Sequence, residues 1–404
     1  MHTITLLQVP RLTIGSGCLA ECRQYLLARG VARALVIAPP FGRKMAERIL
    51  DGIPDSQIDD AVDAEPSVSS FNGTLARAQA FRPDAVIGLG GGSALDVAKL
   101  VAALLDGKQK IGEVFGIGLL KGRTPLLICV PTTAGTGSEV SPNAILLDDS
   151  DEMKKGVVSP WLVPDAAFID AELTLSVPPA VTAMTGLDAL THCIEAYTNK
   201  FAHPVVDIWA IEGVRLIASS LAEAVREPSN LAAREKMALG SLYGGLCLGP
   251  VNTAAVHALS YPLGGRYHVA HGHANAILLP HVVRFNIPTA PERYAAVALA
   301  LGAAPAASDE ATAEAGIDQL WRLIDATGLE MNLSILGSGL GIDESKTPQL
   351  AAAGLGVTRL MKNNPRPMSQ QDAEAIYNAA FRGHAAFQGH AAFRSGGAVE
   401  NSPG

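Results

Sequence analysis

Gly186-Leu187-Asp188-Ala189-Leu190-Thr191-His192 sets a carboxylate and an imidazole four residues apart in an apolar segment of helical character. At that spacing both side chains leave one face of a helix, about 5–6 Å apart, within reach of a single divalent cation. The flanking Leu187, Ala189, Leu190, Cys193 and Ile194 predict that the pair is buried, and a buried carboxylate needs a partner. Partners of the right type lie downstream. Seven of the ten histidines (His192, His203, His257, His268, His271, His273, His281) fall between 192 and 281, where an even spread would place about two. Pro262 and Gly264-Gly265 are read as ending a helix that carries His257 near its end, so that the chain turns back and one of His268, His271 or His273 joins the site. One carboxylate and three imidazoles suit Fe2+ or Zn2+ and leave a position open for a substrate oxygen. Residue chemistry alone does not choose among those three histidines.

A second chemistry is written in glycines. Gly88-Leu89-Gly90-Gly91-Gly92-Ser93 lies between an apolar strand and the helix that begins after it. The glycines let the backbone pass close to a ligand, and the helix start offers free N–H groups and a positive dipole end to a diphosphate. The turn is neither the GxGxxG fingerprint nor a P-loop. Pro131-Thr132-Thr133-Ala134-Gly135-Thr136-Gly137-Ser138-Glu139 follows the next strand with four hydroxyls and two glycines between Thr132 and Ser138. At the carboxyl ends of adjacent parallel strands the two loops would face one crevice, where open α/β sheets bind nucleotides.

The elements that must position these groups change character along the chain. Strands are predicted at Ala34–Ala38, Asp84–Leu89 and Thr124–Val130, with helices at Lys44–Leu50, over 71–81 and after Ser93. This alternation predicts a mainly parallel sheet. Thr3 to Ile14, with Pro10 inside, reads as an edge hairpin. From about Pro178 onward, Ala/Leu-rich segments at helical period replace strands, as in Val205–Val225, Ala232–Leu246 and Ile317–Ala326. The expectation is an α/β dinucleotide-binding domain, Rossmann-like, over 1–180, an all-α metal and substrate domain over 181–385, and a flexible tail over 386–404. In that tail Gly383-His384-Ala385-Ala386-Phe387 recurs as Gly389-His390-Ala391-Ala392-Phe393.

Composition removes other classes of function. Net charge is −8 and no long basic run occurs, so the footprint needed to hold nucleic acid is missing. The longest apolar stretch, Ala295 to Ala307, is too short to cross a bilayer, and the chain start lacks the pattern of a signal peptide. Cys18, Cys22, Cys129, Cys193 and Cys247 show no disulfide framework. These features predict a cytoplasmic protein without membrane or nucleic-acid partners. A charged share of 17% is low for a soluble chain, which predicts a homo-oligomer, a dimer or larger.

Taken together, Gly90-Gly91-Gly92-Ser93-x-x-Asp96-x-x-Lys99, the 131–139 loop, Gly186 to His192 with Ile194-Glu195-Ala196-Tyr197, and His257-x13-His271-Gly272 resemble the successive signatures of the iron-containing (group III) alcohol dehydrogenases. Asn363-Asn364-Pro365-Arg366-Pro367 resembles the family's closing motif, and the likeness spans about residues 5–380. It implies a dehydroquinate synthase-like architecture. It also implies Asp188, His192, His257 and His271 as metal ligands, and Gly92 and Ser93 with Thr132 and Thr133 around the diphosphate. Lys154, in Lys154-Lys155-Gly156, falls by the nicotinamide ribose; Gly91, Asp96, Thr136 and Ser138 complete the expected cofactor-binding set. The implied reaction is reversible hydride transfer between NAD or NADP and an alcohol or aldehyde, with Fe2+, or Zn2+, polarising the substrate oxygen. Maleylacetate reductases and glycerol dehydrogenases share the architecture and are the alternative.

Two departures mark this chain. Where some members place a proton-relaying histidine four residues after the third ligand, Tyr261 stands here; a phenol of pKa near 10 relays protons less readily at neutral pH. Tyr261, His268 and His271 are accordingly the expected catalytic residues, with Tyr267 or a water also able to carry the proton. Pro39 replaces the acidic residue with which NAD-preferring members bind the ribose 2′-OH, and Arg43-Lys44 nearby predict tolerance of a 2′-phosphate.

Overall fold

The computed structural model describes residues 2–151 and 153–384. The first half carries nine strands: β1 (Arg11–Ile14), β2 (Arg33–Ile37), β3 (Asp55–Asp59), β4 (Ala85–Gly90), β5 (Gly116–Ile117), β6 (Leu126–Pro131), β7 (Asn143–Asp148), β8 (Met153–Val158) and β9 (Ala166–Ile169). Six form a parallel sheet in the order β1-β9-β6-β4-β2-β3. Its centre is apolar because both faces are covered: every residue of β4 is buried, as expected when helices pack on both sides. Gly88 lets the helix Gly92–Leu104 lie directly on β4, since a Cβ there would stand 2.9 Å from that of Ala98. This close packing aims the helix N-terminus across the end of the sheet.

The expected edge hairpin is corrected. Residues 3–9 form no strand, and β1 runs parallel to β9 rather than within a hairpin; no turn pair such as Asn-Gly or Asp-Gly joins the two runs, and Pro10 withholds a donor. A second sheet, β5-β8-β7, was not predicted; β7 and β8 form an antiparallel ribbon that carries Lys154.

Beyond Ile169 the described residues are helical. The helix Pro179–Tyr197 is the hub of this half, packed by Pro204–Ala218, Leu231–Leu248 and His271–Asn286. Its core includes Leu187, Leu190, Val256, Leu259, Ile277 and Trp321. The two halves meet closely where Gly137, at φ +61°, touches Gly245: a Cβ on Gly137 would stand 2.2 Å from the Gly245 Cα. A left-handed turn against bare backbone thus joins the second loop to the helical half. No described helix is long and apolar enough to cross a membrane. All five cysteines are buried and unpaired. The tail predicted over 386–404 and the second copy of its repeat lie outside the described residues.

Candidate metal and cofactor site

Three helices converge on one point. Asp188 and His192 stand on adjacent turns of Pro179–Tyr197, His257 in the first turn of Ala255–Tyr267, and His271 opens His271–Asn286. The Asp188 Oδ1 lies 3.4 Å from His257 Nε2, 3.7 Å from His192 Nε2 and 3.8 Å from His271 Nε2. Two donors each about 2.1 Å from one ion at the tetrahedral angle are about 3.4 Å apart, so these separations fit a first-row cation. The donor atoms of Asp188, His192 and His257 all fall within 4.8 Å of one another and are buried; His271 stands at the open side, half-buried.

The surroundings hold these groups in ligand form. His257 Nδ1 meets Glu195 Oε2 at 2.6 Å, and the other Glu195 oxygen accepts the Val256 N–H at 2.7 Å. With its Nδ1 proton on a carboxylate, the His257 ring turns Nε2 towards Asp188. Burial opposes charge on His257, but the Glu195 and Asp188 carboxylates outweigh it and push it up to about 9; the cation they favour at Nε2 is a metal ion when one is bound and a proton otherwise. Burial lowers His192, and lowers His271 to about 3, so both rings keep their lone pairs. Burial works against ionisation of Asp188, yet the imidazoles of His192, His271 and His257 outweigh it and hold the carboxyl below its ordinary range. Asn275 Nδ2 completes the cluster, 2.7 Å from Asp188 Oδ1, 3.1 Å from His257 Nε2 and 3.3 Å from His271 Nε2.

The structure separates the three histidines that residue chemistry left open. His273 Nε2 bonds the Glu330 carbonyl at 2.6 Å, away from the cluster. His268 ends its helix in the left-handed conformation, φ +55°, with its side chain 71% exposed and 3.8 Å from Glu65. Only His271 of the three approaches Asp188. Pro262, predicted to end the helix of His257, lies inside it, so His257 stands near the start of that helix and not near its end. Proline is tolerated there in a fully buried stretch; termination comes later, where the His268 and Val269 N–H groups bond back to the Gly264 and Leu263 carbonyls.

A cleft of about 880 Å³ runs from this cluster to the glycine turn. Gly91, Gly92, Ser93, Thr133 and Thr136 line its far end. Gly91 caps the helix Gly92–Leu104 with no side-chain hydrogen bond, leaving the N-terminal N–H groups to a ligand. Gly92 is needed for room, since a Cβ would stand 2.6 Å from the Thr136 Cγ2. Other predicted cofactor residues brace the turn. Asp96 accepts from Ser138 Oγ at 2.5 Å and from the Ile145 N–H at 2.9 Å, while the buried Lys99 donates to the Ser138 and Ser141 carbonyls. Ser93 Oγ donates to the Ala64 carbonyl. Thr132, expected beside the diphosphate, is buried behind the wall because its place at the end of β6 turns it inward. Lys154 is on the wall, tied to Glu65 at 2.7 Å. Arg43, expected to attract a 2′-phosphate, is paired with Asp60 at 2.6 Å. Pro39 and Phe41 line that end of the cleft.

Tyr261 also faces the cleft, its ring centroid 6.1 Å from that of His271. Burial raises its hydroxyl pKa, opposed by the charge and hydrogen bond of Arg359. Glu195, Asn275 and Arg359 were not singled out from sequence. Glu195 had a signal, a charge three residues after His192 on an apolar helix face; Asn275 had the i, i+4 spacing from His271. Arg359 had none.

Comparison with known proteins bears on this geometry. Residues 10–171 match the model of the iron-containing alcohol dehydrogenases, and residues 182–381 that of the Fe-containing alcohol dehydrogenase family, C-terminal. Long-chain-alcohol dehydrogenase 1 of Geobacillus thermodenitrificans is 40% identical over 324 residues, 79% of this chain and 80% of its own. A 1,3-propanediol oxidoreductase crystal structure superposes with a TM-score of 0.89 at 32% identity, covering 94% of this chain and all of its own. The sulfoacetaldehyde reductase of Bifidobacterium kashiwanohense in complex with NAD+ gives 0.84 at 28% identity, covering 94% and 99%.

Proposed function

The chain belongs to the iron-containing alcohol dehydrogenase family, and from that premise we propose that Asp188, His192, His257 and His271 hold Fe2+ while the Gly91–Ser93 turn, Thr133 and Thr136 hold the NAD diphosphate. The protein is a metal-dependent oxidoreductase of alcohols and aldehydes. The observation that carries the assignment of residues is the continuity of the cleft between the four donors and the helix N-terminus. On this reading residues 1–180 are the cofactor half and 181–385 the metal and substrate half.

Bound iron supplies Lewis acidity at the substrate oxygen, and the nicotinamide gives or takes the hydride. The protein does the rest. Glu195 orients the His257 ring, and Asn275 Nδ2 donates to the Asp188 carboxylate, fixing its place beside the imidazoles. Tyr261, kept protonated by burial, holds a proton at its Oη on the cleft wall beside His271. The exposed His268 stands at the mouth, where it passes protons to water. With Arg43 paired to Asp60 and the acidic Asp63 on the wall, this end of the cleft favours NAD over NADP. Oligomerisation in a reducing, cytoplasmic setting is supported by the low charged share and the five unpaired cysteines.

The test is anaerobic loading with Fe2+ followed by NADH-dependent reduction of propanal, before and after chelation, for the wild type and His271→Ala. Loss of activity on chelation and in the variant is expected; activity that survives both unchanged overturns the ligand assignment.

A further inference from the structure

We infer that Arg359 recognises an anion at the substrate end of the cleft, so that the preferred aldehydes carry a carboxylate or sulfonate remote from the carbonyl. Arg359 stands on the short helix Thr358–Met361, half-buried, and its side chain lies on the cleft wall with Tyr261 and the metal cluster. Its positive charge is felt at the Tyr261 hydroxyl, whose pKa it lowers against the rise that burial causes. Its guanidinium packs against the neighbouring strand at Gly156, with Nη2 at ordinary contact distance, 3.4 Å, from where a Cβ there would stand. Lys154, two residues away on the same face of β8, is likewise seated against a bare position, 3.0 Å from a Cβ on Gly264. The two cations differ in what answers them. Lys154 is neutralised by Glu65 at 2.7 Å, and the well-buried Arg123 by Asp165 at 2.8 Å. Arg359 meets no carboxylate within 4 Å among the described residues. A guanidinium has five N–H donors in a planar fork, and Tyr261 is a neutral acceptor, so a bidentate pair with an oxyanion remains available. A partly desolvated cation without a counter-charge, in a cleft built for small molecules, is matched by the charge of the ligand itself.

The inference rests on the functional reading above, which puts the carbonyl at the metal cluster. In the reaction the carbonyl carbon gains hydride from NADH, its oxygen gains a proton and NAD+ is released; the remote anion keeps all its bonds. The competing role for Arg359 is to position Tyr261 alone, which would affect charged and neutral aldehydes alike.

The experiment uses the Fe2+-loaded protein with NADH and two matched pairs, 4-oxobutanoate against butanal and 2-oxoethanesulfonate against propanal. The wild type is expected to favour the anionic member of at least one pair by about tenfold or more in kcat/KM, and the larger ratio tells carboxylate from sulfonate. Arg359→Met brings that ratio close to unity, chiefly through KM, and Arg359→Lys restores part of it. Tyr261→Phe lowers both members by a similar factor and preserves the ratio. Calorimetric binding of 4-hydroxybutanoate to the NADH complex, which needs no turnover, weakens about tenfold in Arg359→Met. A wild-type ratio near one for both pairs, or a ratio that Arg359→Met leaves unchanged, overturns the inference while the dehydrogenase reading stands. Reduction of no aldehyde at all by the loaded wild type overturns the reading beneath it.

Discussion

The two ends of the cleft are built by opposite means. At the metal end, side chains from three helices do the work, and further side chains hold them: Glu195 on His257, and Asn275 on Asp188. At the end proposed for the diphosphate the polar side chains mostly turn towards each other, Asp96 to Ser138 and Lys99 to the loop carbonyls, and the cleft is left with backbone, glycine and the Thr133 and Thr136 side chains. The difference follows from what each ligand needs. A cation needs lone pairs, which imidazole and carboxylate supply; a diphosphate needs N–H groups, which a helix start already has. One end is therefore specified by residue type, the other by shape.

The largest effect that would break this contrast comes from the metal end. Asp188→Asn and His257→Ala are each expected to lower kcat by at least about a thousandfold, with iron content falling on elemental analysis, because each removes a donor from a buried set. NADH affinity, read by fluorescence, should stay within about threefold. A parallel loss of cofactor binding would mean that the two ends are not independent.

The converse variant is Gly92→Val. Its side chain would collide with Thr136, whose Cγ2 lies 2.6 Å from the Cβ position, and fill the space over the helix start. KM for NADH is expected to rise about a hundredfold, and iron stoichiometry to persist. Between these extremes lies Glu195→Gln, which keeps shape and removes the charge on His257 Nδ1. Loss of such a supporting carboxylate weakens metal affinity by about 10–100-fold, and a competition titration with a chromophoric chelator would measure it. No change in affinity would show that the Val256 and His257 N–H groups need only a neutral acceptor.

The same contrast explains what was legible in the sequence. Asp188 and His192 announce themselves because two metal-binding types at helical spacing in an apolar run have few other uses, and β4 and β6 are continuous apolar runs. The β7/β8 ribbon gave no such signal: along Met153–Val158 exposure is nearly uniform rather than alternating, so no period of two is printed in residue type. Pro262 misled because its cost to a helix is local, whereas the burial of Val256 to Gly265 is tertiary. Arg359 was invisible for a related reason. Its meaning depends on the cleft it shares with Tyr261 and Gly156, some one hundred and two hundred residues earlier, and only folding brings these together.

The smallest effect, on stability, sets the two halves against each other through pH. Glu139 closes the second loop in the sheet half; burial raises it from the ordinary 4.5 to about 7. The native state therefore holds a proton that the unfolded chain releases, so its contribution is greatest at low pH and is lost as pH rises from about 4.5 to about 7. His281 lies on His271–Asn286 in the helical half, lowered by burial from 6.5 to about 3. Here the unfolded chain takes up a proton that the native state refuses, so stability is lost as pH falls from about 6.5 towards about 3. Between pH 5 and 7 each group changes the unfolding free energy by about 2 kcal/mol, with opposite sign. In the wild type the two slopes nearly cancel. Urea unfolding of Glu139→Gln across that range is expected to show stability rising with pH by about 2 kcal/mol relative to wild type, and His281→Gln falling by a similar amount. Comparing slopes rather than absolute stabilities removes the packing cost of each substitution, which is common to both pH values. Parallel slopes in the two variants would mean that the halves do not titrate against each other, and that the burial of Glu139 and His281 is relieved before the chain unfolds.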